Sequence, residues 1–199
     1  EFNDDDYMIA VNQSMGQMYG YKLSGIYTVD QFNFDPAGNS GKGAYKLKDE
    51  ANTPYDKSNY PKPGSWKFED VSGDKIIDSK DKTVIGNALP DVAGGFINNL
   101  TYKGFDLSVG FNFQIGGDVY NANKMYFTKM NNKNRNSLLQ SADRFTYIDE
   151  TGANVFTNPE KLAQINQNAT YASIDGSSTL KFHSGYVEDA SYLRLNNVT

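Results

Sequence analysis

A strict two-residue alternation over residues 105–115 constrains the fold of this chain more than any other feature of its sequence. Apolar side chains occupy the odd positions, and polar or small residues occupy the even positions between them. Successive side chains of a β-strand point to opposite faces, so the pattern predicts a strand with one apolar and one polar face. Its length also matches the roughly 9–11 residues with which a tilted strand crosses a bilayer. The odd positions are Phe105, Leu107, Val109, Phe111, Phe113 and Ile115, and the even positions are Asp106, Ser108, Gly110, Asn112 and Gln114.

A second strand is predicted directly before it, over residues 93–102, because Lys103-Gly104 is a two-residue hairpin signal with glycine second. Lysine is a poor first residue for the type I′ turn that such a loop favours. Facing residues share one side of a sheet, so this pairing collects the apolar side chains of both strands on one face, with Asn98 the exception. A half-buried hairpin of a soluble β-sandwich and a strand pair of a membrane barrel both fit this pattern. The predicted pairs are Tyr102 with Phe105, Leu100 with Leu107, Asn98 with Val109, and Phe96 with Phe111.

Two further segments alternate, and the stretches between the alternating segments are polar. Residues 15–23 and 191–199 carry the period of a strand, and the chain stops within the second of them. Residues 30–65 are rich in Gly, Pro, Asn and Asp and are predicted to form a long loop. Residues 116–190 are mostly polar, with a short helix predicted within 118–130 or 159–168. The predicted fold class is therefore all-β with long loops.

The composition narrows the classes of function. The net charge of −5 argues against a nucleic-acid partner, which needs a basic face. Aromatic residues make up 14% of the chain and charged residues 22%, and the mean hydropathy is −0.63, which suits a strand-rich protein with two unlike faces. Disulfides and thiolate metal sites are excluded because the chain has no cysteine. The chain starts at Glu1 without a signal peptide, and we interpret it as an interior fragment.

Residues 70–81, DVSGDKIIDSKD, match the spacing of a calcium-binding loop. In such loops alternate residues converge six to eight oxygens on the ion, at about 2.3–2.6 Å. Lys75 stands where the template has glycine, and a left-handed backbone there costs a non-glycine residue about 1–2 kcal/mol. An acidic surface turn that keeps this shape without an ion is the alternative. The predicted Ca²⁺ ligands are Asp70, Ser72, Asp74, the backbone carbonyl of Ile76, Asp78 and Asp81.

Arrangements of catalytic residues are missing from the sequence. His183 is the one histidine, and without cysteine it has no thiol to activate. No serine lies in a nucleophile-elbow pattern, and neither glycine pair is followed by the Lys-Ser/Thr of a phosphate loop. We therefore predict no catalytic residue and no enzymatic activity. Trp66 and Tyr60 are candidates for stacking on a bound substrate such as a sugar ring.

The segment from residue 64 to residue 121 resembles a signature near the end of SusC/RagA-like TonB-linked outer-membrane proteins. That family carries an acidic "DVNGDG-ID" loop followed by "IGNP-P", "GGF-N", "YKGFDLSV" and "G-DVYN". This chain has DVSGDKIID, IGNALP, GGFINN, YKGFDLSV and GGDVYN in the same order. Residues 16–27 and 187–198 resemble an upstream strand and the "EDASYLRL" late strand of the family. Lys75 departs from the family glycine, and the plug, the TonB-contacting box and the terminal strands have no counterpart here.

This resemblance implies that residues 1–199 are a single fragment of a transmembrane β-barrel of antiparallel strands, located in the outer membrane of a Gram-negative bacterium. It also implies a 22-stranded barrel with a plug, a SusD-like surface lipoprotein as its lid, and import of oligosaccharides or peptides driven by the TonB complex. The apolar face of the hairpin would meet outer-membrane lipid, and the long polar segments would be extracellular loops. A soluble β-sandwich carbohydrate-binding module and a calcium-stabilised surface adhesion module stay open as alternatives.

Overall fold

The chain folds into two compact units. The sheet unit comprises Glu1–Gly20, Val84–Asn121 and Tyr186–Thr199, and the loop unit comprises Tyr21–Thr83 and Ala122–Gly185. Among the described residues, no helix has the length and apolar character needed to cross a membrane. The structure is a computed structural model that describes residues 2–4, 7–9, 12–48, 53–54, 60–128, 134, 136–174 and 182–199.

Most of the regular structure is short antiparallel strand, which confirms the all-β prediction. The strands are β1 Phe2–Asp4, β2 Tyr7–Ile9, β3 Gln17–Tyr21, β4 Leu23–Ile26, β5 Phe32–Asp35, β6 Ala44–Leu47, β7 Thr53–Pro54, β8 Trp66–Phe68, β9 Ile76–Ile77, β10 Lys82–Asn87, β11 Val92–Tyr102, β12 Phe105–Ile115, β13 Asp118–Tyr120, β14 Val187–Asp189 and β15 Tyr192–Val198. The helical segments are α1 Gly38–Gly41, a single turn in which Asn39 and Ser40 have left-handed φ values of 50° and 57°, α2 Ala122–Thr128 and α3 Pro159–Ile165. 3₁₀ turns lie at Val29–Gln31, Ser79–Asp81, Leu139–Asp143 and Ser184–Tyr186.

The sheet unit is built around an antiparallel sheet in the order β11–β12–β15. β11 and β12 pair along their full length in the predicted register, with Tyr102 opposite Phe105. Lys103 and Gly104 have φ values of 47° and 86°, and two positive φ values are what a type I′ turn requires. β15 pairs with the second edge of β12, which confirms the predicted strand near the carboxyl end of the sequence.

Three strand termini lie together at one end of this three-stranded sheet, and β15 runs from there toward the opposite end. Val92 lies opposite Ile115, and Gln114 lies opposite Tyr192, so the start of β11, the end of β12 and the start of β15 lie together. The Lys103-Gly104 turn closes the other end. The sheet therefore has a short-turn end, at Lys103-Gly104, and a long-connection end opposite it.

A second sheet runs in the order β1–β2–β3–β10, and β13 pairs with β14. The strand predicted over residues 15–23 is present, but it ends at Tyr21, and a new strand, β4, begins at Leu23. β4 pairs with β8 in the loop unit instead of extending the sheet that contains β3. The uninterrupted period-two pattern did not reveal this exchange of partners, because both strands alternate in the same way.

The loop unit folds around an aromatic core, and here the prediction of a long loop over residues 30–65 was wrong. β5 and β6 form an antiparallel hairpin within that range, with Phe32 opposite Leu47 and Phe34 opposite Tyr45. The surrounding Gly, Pro and Asn residues obscured the alternation of these apolar side chains. The buried core consists of Tyr27, Val29, Phe32, Tyr45, Leu47, Phe145, Val155 and Leu162.

Helix α3 supplies the most deeply buried residue of this core, Leu162, and confirms the helix predicted within 159–168. The Asn158 side chain caps the helix by accepting a hydrogen bond from the Lys161 backbone N–H at 3.1 Å. Pro159 occupies the first turn, where its missing N–H leaves no helical bond unmade. Helix α2 likewise falls within the predicted range 118–130.

Candidate functional site

One face of the β11–β12–β15 sheet is apolar and open. Phe96 of β11 and Phe111 of β12 stack with ring centroids 4.9 Å apart. Phe105 is 79% exposed and Tyr102 is 69% exposed. A contiguous apolar surface of this kind marks a contact with a protein partner or a membrane, because water solvates it poorly. This apolar face, which Asn98 interrupts, consists of Val92, Phe96, Leu100, Tyr102, Phe105, Leu107, Val109, Phe111, Phe113, Ile115, Leu193, Leu195 and Val198.

The opposite face of the same sheet is polar apart from Ala93, Ile97 and the Tyr192 ring. Gly95 and Gly110 have no side chains on this face, and the amides of Asn112 and Asn197 occupy the space where their Cβ atoms would lie. The alternation along β12 and the cross-strand pairing together produce this separation of the two faces. This polar face consists of Asn99, Thr101, Asp106, Ser108, Asn112, Gln114, Arg194 and Asn197.

A β-bulge keeps the apolar side chains of β15 on the apolar face of the sheet. The register between β12 and β15 shifts between Gly110 and Phe111, so that Leu195 lies opposite Phe111 and Val198 opposite Val109. A slip of one residue would instead have turned Val198 toward the polar side. We did not predict that β15 extends the apolar face. The signal was in the sequence, because the apolar residues of this strand are spaced by two and then by three.

The acidic loop over residues 70–81 directs its carboxylates toward its own backbone. Asp81 is fully buried, and its two oxygens accept hydrogen bonds from the N–H groups of Val71 and Ser72, at 3.0 Å each, and of Asp78, at 2.8 Å. Burial opposes ionisation of this carboxyl, but the hydrogen bonds outweigh it and hold the pKa of Asp81 below its ordinary value of 3.8. Asp81 therefore holds the two ends of the loop together.

The other acidic side chains of the loop are also engaged. Asp70 accepts a hydrogen bond from the backbone N–H of Lys75 at 2.8 Å, and Lys75 has the left-handed φ of 65° expected at this position. The Lys80 ammonium lies 3.5 Å from an oxygen of Asp74 and 3.9 Å from an oxygen of Asp78. Among the residues that the structure describes, no group of three or more acidic or histidine side chains is arranged to hold a metal ion. The hydrogen bonds explain the loop shape by themselves, and calcium binding stays a prediction.

The remaining predicted ligands, Ser72 and Ile76, take part in the same network. The Ser72 hydroxyl donates to Asp70 at 3.3 Å, and the Ile76 N–H donates to Asp74 at 2.9 Å. Next to them, Ile77 is buried in a small apolar cluster with Tyr21 and Phe68, which anchors the loop to the rest of its unit.

The two candidates for substrate stacking are packed within the loop unit. Trp66 is half-buried, and its ring centroid lies 5.7 Å from that of Tyr171 and 5.5 Å from that of His183. The Tyr60 hydroxyl accepts a hydrogen bond from the Leu47 backbone N–H at 3.1 Å. Both rings thus have structural contacts, and a role in binding substrate stays a prediction.

His183 is buried in the loop unit, which the polar sequence around it did not indicate. Its Nδ1 accepts a hydrogen bond from the Gly185 backbone N–H at 3.1 Å, so this nitrogen carries no proton. The rings of Trp66 and Phe68 lie within 5.7 Å of the imidazole, centroid to centroid. Burial lowers the pKa of His183 to about 4, so the side chain is neutral near pH 7.

Curated proteins similar to this chain are TonB-dependent receptors of Formosa agariphila, whereas no family model matches. Receptor P39 is 32% identical over 99% of this chain, which corresponds to 19% of that protein. Receptor P26 is 34% identical over 68% of the chain and 12% of that protein, and receptor P3 is 29% identical over 57% and 10%. The chain therefore spans less than a fifth of the length of these relatives.

Proposed function

Because this chain belongs to the TonB-dependent receptor family, we propose that it forms part of the barrel wall of an outer-membrane importer. The observation that carries the proposal is the two-faced sheet of β11, β12 and β15. Its apolar face is open, its polar face carries amide, hydroxyl and charged groups, and its two long strands have the length of bilayer-crossing strands.

The exposure of the apolar face favours a lipid environment over a soluble sandwich. In a sandwich a second sheet packs about 10 Å away and buries such a face. Here Leu193 stays 68% exposed and Phe96 51% exposed. Hydrocarbon chains solvate these side chains, and closed pairing of the strand edges satisfies the backbone groups, which are the two requirements for a strand in a bilayer.

The topology of the sheet gives the proposed orientation. Barrels of this class have short periplasmic turns and longer extracellular loops. The Lys103-Gly104 turn is therefore assigned to the periplasmic side and the long-connection end to the cell exterior. The long polar segments of the sequence are proposed to be extracellular loops of the barrel.

The resemblance to SusC/RagA-like proteins extends the proposal to substrate and partners. We assign import of oligosaccharides, with peptides as the alternative substrate class, to the whole receptor. A SusD-like surface lipoprotein would cover its outer opening, and the TonB complex would supply the energy through parts of the receptor that lie outside this chain. The residues of this chain would contribute the wall, the lumen lining and the outer loops, and none of them has a catalytic role in the proposal.

Uptake measurements test this proposal. Cells of the source bacterium with and without the receptor gene are given fluorescently labelled oligosaccharides or peptides. We expect accumulation of one substrate class that is lost on deletion of the gene and on dissipation of the proton-motive force. Equal accumulation in both strains for every substrate, together with recovery of the protein in the soluble fraction without detergent, would contradict it.

The partner is tested separately. The receptor is tagged and purified in mild detergent, and the co-purifying proteins are compared with the products of the neighbouring genes. We expect a surface lipoprotein encoded beside the receptor gene at near-equal amounts. Its absence would remove the lid from the proposal and leave the barrel assignment in place.

A further inference from the structure

The short-turn end of the sheet combines two exposed aromatic rings with one cation. Tyr102 and Phe105 face each other across the turn and are the most exposed rings of the apolar face. The Lys103 ammonium lies 5.2 Å from the centroid of the Tyr102 ring. Because Tyr102 belongs to the apolar face, this contact holds the charge on the lipid side of the sheet, away from the polar face.

The turn contains a lysine at a position that suits other residues better. Lys103 has a φ of 47°, where asparagine, aspartate or glycine is preferred in a type I′ turn. No salt bridge to Lys103 occurs within the part of the chain that the structure describes. Asp106, the nearest acidic residue in sequence, pairs with Thr101 on the polar face. Lys103 thus holds a strained backbone conformation. Within the described residues, no ion pair of its ammonium offsets that cost.

We propose that this turn is a membrane-interface anchor in which Lys103 binds the phosphate of an anionic phospholipid headgroup, while Tyr102 and Phe105 insert between neighbouring lipids. The inference rests on the proposed function, which assigns the turn to the periplasmic leaflet. Aromatic rings concentrate at the level of the headgroups, and a lysine stem can extend along apolar surface while its ammonium reaches the polar layer.

The gain in binding to anionic lipid that is expected from a single lysine is large enough to measure. A lysine close to an anionic membrane surface gains about fivefold in binding over a neutral residue, and salt weakens the gain. Lys103 is positioned for this gain because its ring contact and the turn already fix the stem. A zwitterionic headgroup offers the same phosphate with a neighbouring positive charge, and we therefore expect weaker binding to it.

Photo-crosslinking in the intact receptor tests the anchor. The receptor is reconstituted into nanodiscs that contain a trace of phosphatidylglycerol or phosphatidylcholine with a photoreactive group beside the phosphate, and labelled peptides are mapped by mass spectrometry. We expect the peptide containing residues 102–105 to be labelled about fivefold more by the glycerol lipid at low salt. In Lys103→Asn the preference disappears while the hairpin is retained, because asparagine favours this turn. Lys103→Glu reverses the preference.

Lys67→Asn is the matched control. Lys67 also lies over a tyrosine ring, 5.8 Å from the Tyr27 centroid, but it belongs to the loop unit, and its loss should leave labelling of the turn unchanged. Equal labelling by the two lipids in the unaltered receptor, or an unchanged preference in Lys103→Asn, would overturn the headgroup assignment. If neither lipid labels any peptide of the apolar face, the barrel assignment itself fails along with the anchor.

Discussion

The sheet unit and the loop unit use the same kinds of side chain in opposite ways. In the loop unit Phe32, Tyr45 and Leu162 are buried in a common core. In the sheet unit Phe105 and Leu193 lie open on one face. The hydrophobic effect therefore stabilises the loop unit in water, whereas the apolar face gains the same stabilisation only where hydrocarbon replaces water. The contrast shows that aromatic content alone does not identify a membrane-facing segment, but the periodicity and exposure of the rings do.

Removing a core residue of the loop unit should have the largest effect. Leu162 is fully buried, so Leu162→Ala leaves a cavity and should lower the local free energy of unfolding by about 2–5 kcal/mol. Leu139→Ala is the matched control, because Leu139 is 87% exposed and its loss should change stability by about 0.5 kcal/mol or less. Hydrogen exchange of loop-unit peptides in the intact receptor measures both. Equal effects of the two variants would contradict the packed core.

An arginine introduced on the apolar face of β12 should destabilise the protein more than an arginine on its polar face. Phe111→Arg directs a guanidinium toward lipid and should lower the free energy of unfolding in membranes by about 2–4 kcal/mol. Asn112→Arg, one residue further along, directs it toward the polar face, where an effect of about 1 kcal/mol or less is expected. The folded fraction, read from heat-modifiable gel mobility across a urea series, compares the variants. A larger loss in Asn112→Arg would reverse the assignment of the faces.

Acidification should weaken the loop unit through His183. The pKa of His183 is about 4 in the folded chain and 6.5 without burial, so the unfolded state binds more protons between these values. Stability is therefore complete above pH 6.5 and falls as the pH drops toward 4, by at most about 3 kcal/mol. His183→Asn removes the titration and keeps an acceptor for the Gly185 N–H.

Thermal melting of the intact receptor between pH 7 and pH 4 measures this dependence. The carboxyl groups of Asp81 and Asp149 have pKa values held below 3.8, so their contributions are lost only at still lower pH. If His183→Asn loses stability between pH 6.5 and 4 as steeply as the unaltered protein, the histidine is not the cause.

The smallest effect is expected at Lys75 in the acidic loop. Lys75→Gly relieves the left-handed backbone and should raise stability by about 1 kcal/mol or less, because glycine also loses more chain entropy on folding. Lys82→Gly, at a φ of −68°, carries the entropy cost without the relief and should lower stability.

Calorimetric titration of Lys75→Gly also tests the calcium prediction. Heat at millimolar calcium that disappears when Asp74→Asn is added supports it, and no heat in either the unaltered protein or Lys75→Gly removes it.

Strand pairing could be predicted from the sequence where neighbouring residues determine it. Turn chemistry at Lys103-Gly104 and the period of the two adjacent strands predicted the register of β11 and β12 correctly. The pairing of β12 with β15 could not be predicted from the sequence, because Gln114 and Tyr192 are far apart along the chain and no local pattern specifies their contact. The β5–β6 hairpin was missed because its short apolar strands are surrounded by loop-forming residues.

The role of the candidate site residues could be predicted from the sequence only in part. Aspartates spaced by three and four residues suit both a calcium loop and a set of backbone-capping turns, since both use the same carboxylate oxygens. Which one forms depends on where the N–H groups of the loop point, and the structure directs those of Ser72 and Asp78 at Asp81. The burial of His183 likewise depends on contacts with Trp66 and Phe68, more than a hundred residues earlier in the chain.

Site-directed spin labelling of β12 in reconstituted receptor tests the lipid-facing assignment most directly. Single cysteines are placed in turn at positions 107 to 113, a stretch that has no native cysteine, and each label is probed with oxygen and with a water-soluble nickel complex. We predict high oxygen accessibility at the odd positions and high nickel accessibility at the even positions, with a period of two. Odd positions that are closed to both reagents, as beneath a second protein layer, would contradict a bilayer-facing sheet.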